Sequence, residues 1–114
     1  MPIIPGVYAP GCSVAATASV TADRNAFLTA AAGRQLKGWA LSLPVSGGNA
    51  HGRLVKGAVA TSTTGTICTF ELLTNDEFVM WLSEGGIDAS DGVSIDWVAG
   101  PAGFDCTLFY IDVT

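Results

Sequence analysis

From position 36 onward the chain is a succession of short apolar runs, "LKGWALSL", "HGRLVKGAVA", "TICTFELL", "EFVMWL", "VSIDWV" and "FDCTLFYIDV". Between them stand "PVSGGNA", "TSTTG", "TND", "SEGGIDASDG" and "AGPAG", rich in the Gly, Asn, Asp, Ser and Pro residues that turns favour. Runs this short, rich in branched and aromatic residues, are strands, and close spacing between strands forces antiparallel pairing. No alternation of strand and helix appears, which excludes an open parallel sheet. The pattern predicts an all-β fold, an antiparallel β-sandwich of jelly-roll type.

The last two runs differ in a way that bears on function. Successive strand side chains point to opposite faces, so Val93, Ile95 and Trp97 share one face and Ser94 and Asp96 the other. The final run has no polar face: Phe104, Cys106, Leu108 and Tyr110 line one side, and Phe109, Ile111 and Val113 the other. "EFVMWL" behaves likewise, with Phe78, Met80 and Leu82 opposite Val79 and Trp81. Both strands are expected to be covered on both sides.

The chain opens with "MPIIPGVYAPG", in which three prolines forbid a helix. Residues 1–12 are expected to form an extended arm whose Ile3, Ile4, Val7 and Tyr8 lie across this sandwich or a neighbour's, and residues 13–114 a single sandwich domain. "SVAATASVTA" suits a first strand with Val14, Ala16, Ala18 and Val20 on one side. "DRNAFLTAAAG", with Asp23 as N-cap and Gly33 just past the end, is the one place where a short helix is expected.

Hydrophobic residues make up 49% of the chain and charged ones only 13%, roughly half the usual share of about 25%. A lone domain of this size has difficulty hiding so much apolar surface, which favours oligomerisation or docking on a larger body. All five basic residues, Arg24, Arg34, Lys37, Arg53 and Lys56, lie in the first 56 positions beside the single acid Asp23, giving +4; the nine other acids follow, giving −9. Nucleic acid is disfavoured as a partner, since a phosphate-binding face needs unopposed cations. The halves either interleave in one sandwich, mixing their charges, or attract between neighbouring copies.

Cys12, Cys68 and Cys106 are odd in number and widely spaced, so neither a zinc knuckle nor a disulfide framework is signalled. Cys68 and Cys106 occupy apolar strand positions and read as buried thiols, and a bridge between them would require neighbouring strands. "APGCS" resembles the end of a lipoprotein cleavage site, but "MPIIPGVY" carries neither a basic nor a long apolar region, and nothing approaches the roughly 18 apolar residues of a membrane span. Neither membrane insertion nor export is expected.

Catalytic chemistry finds little support. His51 is the only imidazole, it follows a turn, and a Cys68–His51 pair rests on nothing local. No GxSxG, P-loop or GxGxxG occurs, so no catalytic or cofactor-binding residue is assigned. Asp88, Asp91 and Asp96 supply oxygen ligands, but their spacing fits no EF-hand and "DG" is a turn; no metal site is assigned. Asp96 and Asp105 would serve as an acid–base pair only if the final hairpin brought either near another acid. Trp39, Trp81 and Trp97 would serve a glycan if exposed together, yet Trp39 shares a face with Leu41 and Leu43, and Trp97 with Val93 and Ile95.

From Gly33 onward the order of elements, a "GRQLKGWALSL" strand, a Gly/Ser turn, a strand ending near Gly57, the "TSTTG" link, aromatic strands, the acidic "GGIDASDG" turn and a terminal hairpin ending "FYIDV", resembles that of small structural proteins of tailed bacteriophages. The resemblance implies a jelly-roll-like sandwich serving as a capsid decoration, or cement, protein, made in the host cytoplasm and residing in the virion. Its partners would be the major capsid protein or another virion protein and sister copies, a trimer being one such arrangement. Ile3, Ile4, Tyr8, Trp81, Phe109, Ile111 and Val113 are then expected to carry the contacts, with Arg53 and Lys56 meeting acids on a neighbour. A carbohydrate-binding module or a tail or fibre accessory subunit is the alternative.

Overall fold

The computed structural model describes residues 12–43, 48–62, 65–82, 85–100 and 103–113. The strands are β1 (Ser13–Val20), β2 (Arg24–Leu28), β3 (Arg34–Ser42), β4 (Ala50–Lys56), β5 (Thr66–Leu72), β6 (Glu77–Trp81), β7 (Ile87–Asp88), β8 (Val93–Ala99) and β9 (Phe104–Asp112). All pairings are antiparallel and make two sheets. Sheet A runs β1-β9-β3-β6, with β7 also on β3; sheet B runs β2-β8-β4-β5.

The inner faces share one core. Val20, Leu36, Trp39, Leu41, Phe104, Cys106 and Leu108 of sheet A meet Leu28, Leu54, Phe70, Leu72, Val93 and Ile95 of sheet B. Phe70 and Phe104 join the sheets edge to face, centroids 5.0 Å apart, the geometry that ring quadrupoles favour. The arrangement is all-β and sandwich-like.

No described residue is helical, and the segment expected to form a helix is β2. Its polar groups find partners in β8 instead: the Asp23 carboxylate accepts the Trp97 N–H, and the Ala26 N–H goes to Ser94 Oγ, which donates to the Gly57 carbonyl. Leu28 is buried in the common core. Burial against a paired strand outweighs local propensity, a weak bias of tenths of a kcal/mol per residue. Gly33 does take a left-handed conformation, φ 73°, but in the β2–β3 turn, where a Cβ would stand 1.8 Å from the Val113 carbonyl oxygen.

The single face expected for β1 is also broken. Val14 is exposed and Val20 fully buried, because the register with β9 shifts between Thr17 and Val20 and Ser19 is left-handed at φ 53°. A bulge of this kind sends the rest of a strand to the opposite face.

The charge halves interleave within the molecule. Arg34–Asp112 at 2.8 Å, Arg53–Asp96 at 2.7 Å and Lys56–Asp88 at 3.8 Å each join a base of the first half to an acid of the second.

Candidate functional site

The outer faces of the two sheets are unlike. On sheet B, His51 stands opposite Glu71, and Arg53 opposite Thr69 and Asp96. The segment 57–62 roofs one end of this face: Ala60 and Val55 are fully buried, and the Ala60 N–H reaches Asn25 Oδ1. Arg53 is the pin, with Nε on Asp96, Nη1 on Thr66 Oγ1 and Nη2 on the Ala60 and Ser62 carbonyls.

On sheet A, one outward row runs Val14–Phe109–Gly38–Trp81 and the next Ala16–Thr107–Ala40–Val79. Neither contains a charge. The row beyond, Asp105–Ser42–Glu77, is acidic. Val14 and Val79 are 51% and 56% exposed, which no single-domain packing requires of an alternating strand.

Part of this face is covered by the chain itself. The Trp81 ring leans over Gly38 and meets Phe109 edge-on, centroids 5.9 Å apart. Gly38 permits this approach, since a Cβ there would lie 2.8 Å from Trp81 Cε3 and 2.6 Å from the Met80 carbonyl oxygen. Comparison with protein-family models, curated proteins and solved structures finds no match.

The expected contact residues therefore separate. Phe109 is only 2% exposed; it was expected to wait for a neighbouring subunit, but Trp81 already shelters it. Trp81 and Ile111 are half-buried and Val113 is exposed. Arg53 was expected to meet an acid on a neighbour, yet its guanidinium is occupied by Asp96 and the roof; Lys56 lies near Asp88 of its own chain. Ile3, Ile4 and Tyr8 lie outside the described residues.

Gly38, Val14 and Val79 were not singled out from the sequence. The signal for Val79 was present, since "EFVMWL" puts it on the Trp81 side, and a glycine inside a strand marks close approach of another group. Val14 had none, because only the bulge gives it an outward position.

Other side chains proposed for chemistry are dispersed. Cys68 faces Leu54 on the inner side of sheet B while His51 is on its outer side, so they form no pair. Cys68 and Cys106 lie in opposite sheets, and all three cysteines are free thiols. Burial pushes the Cys68 thiol to about 11, and burial with the nearby Cys68 pushes Cys106 to about 12, so neither is a nucleophile at neutral pH. Asp96 is bound to Arg53, while Asp88 accepts the Ser90 N–H, which with Lys56 holds its carboxyl below the usual range. Among the described residues no three His, Cys, Asp or Glu side chains gather as a metal site.

Proposed function

We propose that the chain is a virion structural protein, a capsid decoration protein that docks through the outer face of sheet A. The observation that carries this reading is the inequality of the two outer faces. One is charged, hydrogen-bonded and roofed by its own loop, with Val98 of β8 and Val59 of the roof as its exposed apolar residues; the other presents two uncharged rows with two valines more than half exposed. Exposed apolar surface of this kind is what a protein partner removes from water, at roughly 25 cal/mol for each Å². Weak contacts of this type become strong attachment when the partner repeats them on a lattice.

Strand order supports the finer fold assignment. With the two-residue β7 set aside, the eight longer strands read 1-8-3-6 in one sheet and 2-7-4-5 in the other. That order is consistent with two interlocked Greek keys, as in a jelly roll, an architecture that serves both capsids and lectins. Fold alone does not choose between them. Among the described residues no aromatic side chain is exposed, which favours docking on protein over stacking on a sugar.

Mass spectrometry of phage particles purified from lysates of the source tests the reading. The chain in many copies per particle is the expected result, and its absence from intact particles overturns it. Val14→Lys, on an exposed site, should fold normally and be lost from the particle.

A further inference from the structure

The four sheet edges are not equally protected. β1 is interrupted by left-handed Ser19 and its register shift, and β2 by left-handed Ala26 and another shift. β5 turns Thr66, Thr69 and Glu71 outward. β6 is less guarded: it has no bulge, no proline and no lysine, its single charge Glu77 stands at one end, and Val79 and Met80 are exposed at 56% and 39%.

Its pairing with β3 defines what that edge offers. The Leu82 N–H donates to the Lys37 carbonyl and the Leu43 N–H to the Asp76 carbonyl. Backbone groups of an antiparallel strand alternate in direction, so the even-numbered residues of β6 bond β3 while the N–H and C=O groups of Glu77, Val79 and Trp81 point away. No described residue pairs with that side. Three consecutive outward positions make a template for an extended strand.

We propose that two copies of the chain join antiparallel through their β6 edges, about a twofold axis at Val79. In that register Val79 bonds its twin and Glu77 bonds Trp81 of the second copy, which closes about six backbone hydrogen bonds with no outward group left over. The sequence of β6 suits its own reversal. Its one charge, Glu77, falls opposite a tryptophan instead of another Glu77; Val79 packs on Val79; and on the other side Met80 meets Phe78, a favourable sulfur–ring contact. Sheet A then continues from one copy into the next, and the two apolar outer faces lie side by side.

The seam deepens the proposed function, taking from it only that copies of the chain associate, and is tested without any virion. Sedimentation equilibrium of the full chain should give twice the 11.7 kDa monomer mass. Val79→Pro and Val79→Lys should each reduce it to one chain while keeping the far-ultraviolet signal of strand, since the Val79 N–H makes no bond to β3. In a Cys12→Ser background, Val79→Cys should oxidise to a covalent dimer, because Cα atoms of a hydrogen-bonded pair stand about 5.5 Å apart, within disulfide reach. A wild type monomeric at high concentration, a dimer indifferent to both substitutions, or a Val79→Cys chain that does not cross-link each overturns the seam. Absence from virions with an intact dimer would overturn only the proposed function.

Discussion

Trp81 and Phe109 meet edge to face on the outer side of sheet A, planes 67° apart, with Gly38 of the intervening strand beneath the tryptophan. The two strands that looked apolar on both sides thus shield each other across a third. The contact buries Phe109 but leaves Val14, Ala16 and Val79 around it open.

Removing the buried partner should therefore cost stability before it costs assembly. Phe109→Ala is expected to lower the unfolding free energy by about 3–5 kcal/mol, the range for a buried aromatic truncated to alanine. Gly38→Ala should also destabilise, because its methyl group displaces the Trp81 ring. Urea denaturation followed by tryptophan fluorescence checks both; an unchanged midpoint for Phe109→Ala would contradict the burial.

Arg53 holds β4, β8, β5 and the 57–62 roof through one guanidinium, its side chain 20% and that of Asp96 13% exposed. Arg53→Met should destabilise by about 2–4 kcal/mol, mostly by leaving the Asp96 carboxylate poorly solvated. Arg53→Lys should recover little of it, since an ammonium cannot span the fork of acceptors. Chemical denaturation of the three proteins compares them, and full recovery by lysine would refute the fork.

Asp112 receives two hydrogen bonds from Arg34, which also bonds Thr29 and stacks on Tyr110. The Arg34 side chain holds the Asp112 carboxyl below its ordinary 3.8. A depressed folded-state pKa gives stability that is present above 3.8 and lost as pH falls through the lowered value. The melting-temperature advantage of wild type over Asp112→Asn should persist from neutrality to about pH 4 and vanish on further acidification. An advantage that survives at pH 2 would exclude the ion pair as its source.

Thiol reactivity should rank by burial. Cys12 and Cys68 are both half-buried and Cys106 is buried, but Cys68 and Cys106 face the core, with their thiols pushed to about 11 and 12. Alkylation of native protein at pH 8, read by peptide mass spectrometry, should label Cys12 first, Cys68 more slowly, and Cys106 only on unfolding. Labelling of Cys106 at the rate of Cys12 would contradict the packing of the core.

Much of the fold was legible because period-two patterning reports burial directly. Val93, Ile95 and Trp97 do face the core, as do Trp39 with Leu41 and Leu43, and Phe104 with Cys106 and Leu108. β2 was not legible, since Asp23, Phe27 and Gly33 fit a capped helix as well as a strand, and the decision lay with Ser94 and Trp97 some seventy residues away. The candidate site was half legible. An apolar second face was visible in β6 and β9, but Val14 reaches it only through a bulge, and Arg53 and Phe109 were drawn out of it by partners within the chain.

Sequence alone determined that this chain is built of short antiparallel strands with more apolar surface than charge, because alternation, turn residues and composition are local properties. Tertiary structure decided which of that surface is spent inside. Gly38 let Trp81 close over Phe109, and the Arg53 hub pinned the 57–62 roof onto sheet B, leaving Val14 and Val79 open on one face of sheet A beside its β6 edge, while Val59, Leu73 and Val98 stay open on the sheet B side. Such outcomes depend on which strands become neighbours, and strand order is set by the packing of the whole chain rather than by any one segment.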